Sequence, residues 1–339
     1  MRILLWHVHG SWTDAFVHGR HEYLLPTDAE RSAWGLGRGG RDWPDTAREV
    51  DIDMLTAADV DVVVLQRPEE IDEVRGRLDV DPGVDVPAVF VEHNTPRAHV
   101  PDTVHPLADR TDIPLAHVTH FNAVMWDNGR APVTVIEHGI RDPGPLYTGE
   151  LDRLAFVANE PVRRRRVLGT DIVESIAEAV PVDVFGIGSE KLGDAAPAHL
   201  VRTGPDGTAR LAPHGDVPLA DLHRRMARRR AYLHPVRWTS LGLSLLEAMH
   251  LGMPVIVLAA TEAIRAVPAE AGLLTTDPRA MVEEARRLVA DPARARDMGA
   301  AARAHALERY GLPRFLRDWD ELLTSVAEAP ALSASTPGS

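Results

Sequence analysis

The stretch 231–258, AYLHPVRWTSLGLSLLEAMHLGMPVIVL, constrains the fold more than any other part of the chain. An apolar run at 231–233 is followed by a polar loop, a helical pattern from about Gly242 to Leu251, and a Gly-x-Pro turn. The β-branched run 255–257 comes next and has the composition of a buried strand. Strand, helix and strand in this order predict a unit of parallel α/β structure.

The start of the predicted helix has the features of an anion site. The first N–H groups of a helix lack partners within the helix, and a glycine at position 242 lets an anion approach them. We therefore expect the N–H groups of Gly242, Leu243 and Ser244 to bind a diphosphate. Glu247 lies one turn further along on the same helical face. Its carboxylate can accept two hydrogen bonds from a vicinal diol such as a ribose, so the stretch predicts a nucleotide site.

These residues resemble the motif of the retaining GT-B glycosyltransferases, in particular the family 4 group. The matching positions are Gly242, Leu243, Leu246, Glu247, Ala248, Met249, Gly252, Pro254 and Val255. Thr239 stands where the family has its first glutamate, so the resemblance implies that position 239 lies near the transferred sugar. The alternative is a buried helix between two parallel strands of any α/β fold, which explains the leucines but not Glu247.

Length and composition exclude several classes of protein. The 339 residues favour two domains, and the absence of cysteine excludes disulfides and thiolate metal sites. No apolar run approaches the ~20 residues of a membrane-spanning helix, and the N-terminus does not have the pattern of a secretory signal. The formal charge of −13 opposes general binding to nucleic acid. We expect a cytoplasmic protein.

The first half of the sequence alternates β-type and helical segments, which predicts a parallel sheet with helices on both faces. The β-type runs lie at 2–8, 61–65, 88–92, 116–119 and 133–137, and the helical segments lie at 13–24, 69–78 and 121–128. The glycine-rich segment 26–51 predicts a long loop with little regular structure. Its two tryptophans, Trp34 and Trp43, either pack this loop onto the domain or bind a sugar.

Two positions after predicted strands are candidate site residues in this half. Gly10 lies in the loop after the first strand, which contacts the substrate in the resembled family. His93 follows the third strand, where that family commonly has a histidine near the transferred sugar. A neutral imidazole there could donate to a phosphate oxygen or bond a sugar hydroxyl, and a capping role is the alternative. Histidine pairs at 7 and 9, 18 and 21, and 117 and 120 lack a nearby third ligand, so no bound metal is expected.

Proline and glycine at 143–145 predict a linker between two domains. The expected division is a Rossmann-like acceptor-side domain at 1–148, a Rossmann-like nucleotide-sugar domain at 149–312, and a terminal helix at 313–328 that packs back on the first domain. The tail 329–339 is rich in proline, serine and alanine and is expected to be disordered.

Further candidates in the second half come from the resemblance. In the family, an arginine and a lysine after the first strand of this domain bind the donor diphosphate. The lysine is missing here, so Arg163 and one of the following arginines, Arg166 among them, are the candidates, and a solvated basic edge is the alternative. Gly186 begins a Gly-x-Gly loop like that of the family. His214 and Val217 lie in a segment that resembles the family loop at the nucleotide base.

The resemblance implies a GT-B fold, with two Rossmann-like domains facing across a cleft. It also implies metal-independent, retaining transfer of a sugar from a nucleoside diphosphate donor to a hydroxyl of a small-molecule or glycan acceptor. No cofactor besides the donor substrate is expected. His93, Arg163 and Thr239 are the candidates for action on the reacting groups. Two alternatives stay open: a nucleotide-sugar epimerase or hydrolase on the same fold, and a non-catalytic nucleotide-sugar-binding protein. The base, sugar, acceptor and oligomeric state stay open as well.

Overall fold

The computed structural model describes residues 1–204 and 207–328. The chain forms two compact units: the first contains Met1–Gly139 and the chain from Leu312 onward, and the second contains Ile140–Gly311. Each unit is built on its own parallel sheet. The tail 329–339, for which disorder is predicted, lies outside the described residues.

The seven strands of the first unit run in the spatial order β3-β2-β1-β4-β5-β6-β7. They are β1 (Arg2–Leu5), β2 (Glu22–Thr27), β3 (Ala47–Asp51), β4 (Val62–Leu65), β5 (Ala88–Glu92), β6 (Leu115–His117) and β7 (Val133–Val135). The six strands of the second unit run in the order β10-β9-β8-β11-β12-β13. They are β8 (Leu151–Val157), β9 (Val182–Phe185), β10 (Leu211–Pro213), β11 (Arg229–His234), β12 (Val255–Leu258) and β13 (Gly272–Thr275).

Helices connect most of these strands and cover both faces of each sheet, which explains why central strands such as β4 and β12 are apolar throughout. In chain order the helices are α1 (Gly10–Phe16), α2 (Glu70–Leu78), α3 (His120–Met125), α4 (Arg165–Leu168), α5 (Thr170–Ala177), α6 (Leu192–Ala195), α7 (Ala198–Val201), α8 (Leu219–Met226), α9 (Leu243–Leu251), α10 (Ala263–Ala266), α11 (Pro278–Ala290), α12 (Pro292–Tyr310) and α13 (Leu312–Glu328).

Helix α13 packs into the core of the first unit through an aromatic cluster. The Trp319 indole lies edge-on to Trp12 and Phe16 of α1, with ring centroids 5.5 and 5.1 Å apart. Phe315 lies so close to Gly139 that a Cβ at position 139 would collide with it. The last described helix and the first strands therefore share one hydrophobic core.

The prediction of a helix at 13–24 is wrong beyond Phe16. Residues Glu22–Thr27 form β2, which pairs in parallel with β1. The apolar side chains of this segment fit a strand that is buried between two neighbours, and sheet pairing outweighs the weak helical pattern. Segment 26–51 is also more regular than predicted, because Ala47–Asp51 forms the edge strand β3.

Of the two alternatives for the tryptophans, the structure shows packing for Trp43. Its ring is buried in the core of the first unit, and its Nε1 donates a hydrogen bond to Asp14 Oδ1 over 3.0 Å. Trp34 lies beneath the guanidinium of Arg67, whose Cζ is 3.9 Å from the ring centroid. The loop is therefore fixed from inside the domain.

The two units divide at Gly139, before the 143–145 linker and before the boundary near 148 that the sequence predicts. Ile140 already belongs to the second unit, because its N–H donates to the Tyr310 carbonyl over 2.8 Å and it forms a bridge with Gly311. The observed boundary therefore lies earlier than the predicted one, because backbone pairing with Tyr310 and Gly311 fixes it and leaves no signal in the local composition.

Candidate functional site

The start of α9 lies just beyond the carboxyl end of β11. Gly242 is the N-cap and has no side-chain cap, and Gly252 ends the helix in the left-handed conformation with φ of 87°. Gly242, Leu243 and Ser244 are partly exposed. The Ser244 hydroxyl lies 2.8 Å from the hydroxyl of the buried Tyr232, so it is held against the strand. The three residues predicted to bind a diphosphate thus lie together at an accessible helix start.

Packing against His234, as well as access of a ligand to the helix start, requires a glycine at position 242. A Cβ at this position would lie 2.6 Å from the Cε1 atom of His234, the last residue of β11. The His234 ring is buried, and burial lowers its pKa to about 4, so the ring is neutral near neutral pH. Its Nδ1 is buried and has no hydrogen-bond partner within the described residues. The sequence did not single out His234.

Glu247 is buried one turn into α9 and faces α8. Its Oε2 lies 3.5 Å from Nε2 of His223, which is buried and makes no hydrogen bond within residues 1–204 and 207–328. A buried carboxylate without a cationic arginine or lysine partner is costly. The pair therefore has unused capacity for a polar ligand. Thr239 is half-buried in the loop that precedes α9.

Three loops at the carboxyl edge of the second sheet are tied to one another. The Gly186 N–H donates to the Gly215 carbonyl over 2.9 Å, and the Gly215 N–H donates to Ser189 Oγ over 2.9 Å. The Ile187 N–H donates to Asn159 Oδ1 over 3.0 Å. Gly186 has φ of 118° and lies against the backbone of the loop after β8, so only glycine fits there. These hydrogen bonds hold the three loops together at the carboxyl edge of the sheet.

His214 is held in place by its own domain. Its ring stacks on Phe185 with centroids 4.7 Å apart, and its Nε2 lies 3.4 Å from Asp183 Oδ1. Arg153 and Arg229 also pair with Asp183, at 2.6 Å each. Although burial opposes ionisation of Asp183, hydrogen bonds from His214 and Arg153 and the charges of the arginines hold the pKa of this carboxyl well below its ordinary value. Val217, the other predicted base neighbour, packs at the edge of the core that contains α9.

The arginines at 163–166 differ from one another in their surroundings. Arg165 pairs with the buried Glu174 through both terminal nitrogens, and Arg166 Nη1 lies 2.8 Å from Asp171 Oδ2. Asp171 is shared with Arg237, which lies in the loop before α9. Arg163 is exposed, and its Nε lies 3.8 Å from Glu160 Oε2. Arg163 is thus the less tightly held of the two predicted diphosphate arginines, while Arg166 shares the single carboxylate of Asp171 with Arg237.

The first unit has a different polar cluster at its own carboxyl edge. His93 follows β5, and its ring lies 4.0 Å from the ring of His9 and 5.1 Å from Trp12, centroid to centroid. His93 Nε2 lies 3.0 Å from Oε1 of Gln66, which follows β4. His138 is also buried at this edge. Because adjacent parallel strands end at the same edge, residues distant in sequence meet here.

Burial determines the charge of these imidazoles. It lowers the pKa of His138 to about 3 and that of His93 well below its ordinary value, and it also lowers the pKa of His9. A positive charge on His9 or His138 would repel a proton on His93, which lowers the pKa of His93 further. The cluster is therefore neutral near neutral pH. Gly10 adjoins it as the first residue of α1, and a Cβ there would lie 2.5 Å from Nη2 of Arg41.

Several residues in these sites were missed by sequence reasoning. They are Gln66, Glu70, His138, His223 and His234. His138 and His234 carry a usable signal, since each follows or ends a strand. Gln66 directly follows β4 and carries the same signal, whereas Glu70 and His223 carry none that could separate them from ordinary surface residues. The part of the chain that the structure describes contains no group of three side chains able to hold a metal ion. Among its described helices, none has the length and hydropathy to cross a bilayer.

Comparison with known proteins agrees with this architecture. Residues 154–291 match the family model described as glycosyl transferases group 1. No curated protein matches the chain by sequence.

Solved structures share the fold of the described chain. The structure of HepE from Anabaena in complex with UDP superimposes with a TM-score of 0.71 at 15% identity, over 96% of this chain and 100% of that one. Sucrose-phosphate synthase from Thermosynechococcus elongatus gives 0.70 at 14% identity, over 97% and 100%. TarM gives 0.59 at 14% identity, over 77% of this chain but only 54% of TarM. The chain thus has a GT-B fold of two Rossmann-like units, and residues 154–291 within it resemble the glycosyl transferases group 1 family.

Proposed function

We propose that the chain transfers a sugar from a nucleoside diphosphate sugar to a hydroxyl of a small acceptor, with retention at the anomeric carbon. The observation that carries the proposal is the start of α9, where partly exposed N–H groups precede the buried Glu247. This region lies inside the segment that matches the glycosyltransferase family. HepE was crystallised with UDP-glucose, which makes UDP-sugars the first donors to test.

In this proposal the α9 N-terminus receives the diphosphate and Glu247 receives the two ribose hydroxyls. Helix N–H groups favour negative charge by their partial positive charge. They stabilise a departing diphosphate most as its charge grows, so a metal ion is not required for that step. Arg163 is the side chain best able to add positive charge, because its present ion pair is long and exposed.

The acceptor hydroxyl forms the new bond to the anomeric carbon from the face that the diphosphate leaves. The bond between that carbon and the diphosphate oxygen breaks, and its electron pair stays on the diphosphate. The hydroxyl proton passes to a departing phosphate oxygen. This step requires no protein base, and His93, with its low pKa, is a weak one.

Calorimetric titration with UDP-, GDP-, ADP- and dTDP-sugars tests the nucleotide assignment. We expect one of them to bind, and absence of binding by all four would contradict the proposal. The bound donor is then incubated with and without simple alcohols and sugars. A transferase consumes the donor slowly until an acceptor is present, whereas a hydrolase or epimerase runs without one. The anomeric configuration of the product, measured by proton NMR, tests retention.

A further inference from the structure

The strongest unexplained feature outside the nucleotide site is the way His93 is held. Its ring lies between His9 and Trp12 and makes a single hydrogen bond within the described chain, from Nε2 to Gln66 Oε1 over 3.0 Å. A neutral imidazole has one N–H and one lone pair, so which nitrogen carries the proton decides what the ring can bind. The partner of Nε2 therefore also defines the chemistry of Nδ1.

The orientation of the Gln66 amide follows from its second contact. Its Nε2 lies 2.7 Å from the carbonyl oxygen of Trp6, in a buried position. That carbonyl can only accept, so the NH2 group of Gln66 must face it. The reversed amide would place two oxygens at hydrogen-bond distance and leave both unsatisfied. Gln66 Oε1 therefore faces His93 and accepts, and His93 Nε2 must carry the proton.

Gln66 is itself fixed by the buried carboxyl group of Glu70. Its backbone N–H donates to Glu70 Oε2 over 2.6 Å, and Arg67 Nε donates to Glu70 Oε1 over 2.8 Å. Glu70 is fully buried, and the guanidinium of Arg67 lies over the Trp34 ring. These contacts hold the residue after β4 in one conformation. A side chain held at both ends does not rotate to serve another tautomer of His93.

We propose that Gln66 is a positioning residue that locks His93 in the Nε2–H tautomer, so that Nδ1 accepts a hydrogen bond from a substrate hydroxyl. The proposal deepens the proposed function and rests on it for the identity of the substrate. A lone pair attracts a hydroxyl proton and repels the oxygen of a phosphate. Of the two roles that the sequence leaves open for His93, the structure thus favours contact with a hydroxyl over donation to phosphate.

The hydroxyl belongs either to the sugar of the donor or to the acceptor, which share this chemistry. The neutral ring suits both, since protonation at Nδ1 would remove the lone pair. Neighbouring His9 and His138 are held neutral by burial too. The edge of the first unit is therefore suited to uncharged polyols.

The test is 15N NMR of the full chain labelled at histidine, with His93 assigned by its loss in His93→Gln. We expect His93 to be protonated at Nε2 only. In Gln66→Met, which has nearly the same shape but no amide, we expect a mixture of tautomers and at least a tenfold lower kcat. In Gln66→Glu a protonated carboxyl can still donate to Trp6 and accept from His93, so the tautomer should return. An Nδ1–H tautomer in the unmodified chain, or an unchanged tautomer in Gln66→Met, would overturn the proposal. If Gln66→Met does not fold, the unmodified chain and Gln66→Glu still decide.

The ligand is tested separately by adding UDP-glucose, D-glucose, UDP or inorganic phosphate at matched concentrations. A shift of the Nδ1 signal with UDP-glucose alone assigns the hydroxyl to the donor, and a shift with D-glucose assigns it to an acceptor. A shift with UDP or phosphate, or with none of the four, contradicts the proposal. Nucleotide binding at Glu247 is measured separately, by calorimetry. If it fails, the NMR measurement of the His93 tautomer is still valid.

Discussion

The two units use the same sheet architecture and the same edge of the sheet, but they place opposite chemistry there. The edge of the first unit holds neutral imidazole rings and an amide, among them His9, His93 and Gln66. The edge of the second unit holds glycine loops, an uncapped helix start and Glu247. In the proposed function, the backbone places both sites at the carboxyl edges of the sheets, and a few side chains suit one site to an uncharged polyol and the other to a nucleoside diphosphate.

The largest expected effect concerns the second unit. Replacing Glu247 with alanine removes two hydrogen bonds to a charged acceptor, which together are worth about 4 kcal/mol or roughly a thousandfold in affinity. Calorimetry with the donor that binds the unmodified chain measures this loss. The control Glu283→Ala removes an exposed carboxylate on α11 of the same unit and should leave affinity unchanged. Equal affinities for the two variants would refute the role of Glu247.

The next effect concerns the neutral rings of the first unit. His138 has a folded-state pKa of about 3, below the value of about 6.5 for an unfolded chain. The folded state therefore binds fewer protons, and the stability that this group contributes above pH 6.5 is lost as pH falls. The loss amounts to about 3 kcal/mol by pH 4.5.

Urea unfolding followed by tryptophan fluorescence measures this loss in the first unit, because every tryptophan except Trp238 lies there. The variant His138→Gln cannot take up the proton, so its unfolding free energy should fall less between pH 6.5 and 4.5. A variant as sensitive to acid as the unmodified chain would show that His138 is not held neutral.

Glu70 gives a smaller effect of the opposite sign in the same unit. Burial raises its pKa from 4.5 to about 7, so the folded state holds a proton that the unfolded state releases. Stability from this group is present below pH 4.5 and is lost as pH rises through 7. The loss is about 2 kcal/mol between pH 4.5 and 6. The free energy of unfolding is measured across this pH range for the unmodified chain and for Glu70→Gln. Any advantage of the unmodified chain over Glu70→Gln should become smaller, or reverse, as pH rises from 4.5 to 6. A constant difference would contradict the buried, protonated Glu70.

The smallest expected effect separates two reasons for the glycine that begins α9. Replacing Gly242 with alanine brings a methyl group against the His234 ring and should destabilise the second unit by about 1 to 3 kcal/mol. In a double-mutant cycle with His234→Ala, the cost of the alanine should largely disappear. Urea unfolding followed by circular dichroism gives the four free energies. Additive effects would mean that His234 does not restrict position 242.

The sequence predicts the fold best where local pattern and burial agree. The run 88–92 that forms β5 has the observed bounds, and α9 begins one residue after its predicted start. Strands β2 and β3 were missed because a buried strand next to a helix has no distinct periodicity and because β3 is charged at the sheet edge. Both segments become strands through pairing with their neighbours in the sheet.

The candidate sites divide in the same way. The residues around α9 were predicted because helix start, glycine and acid follow one another in sequence. The cluster around His93 was predicted only in part, because Gln66 lies far from His93 in sequence and meets it only when β4 and β5 pair. For Arg166 the sequence predicted a diphosphate contact, and the ion pair with Asp171 became visible only in the structure.

The most direct test of the account is a crystal structure of the full chain with the nucleotide sugar that binds best in the calorimetric screen. We expect the diphosphate within hydrogen-bond distance of the N–H groups of Gly242, Leu243 and Ser244, with both ribose hydroxyls on Glu247. A diphosphate bound at another part of the chain, or a ribose that does not touch Glu247, would contradict it.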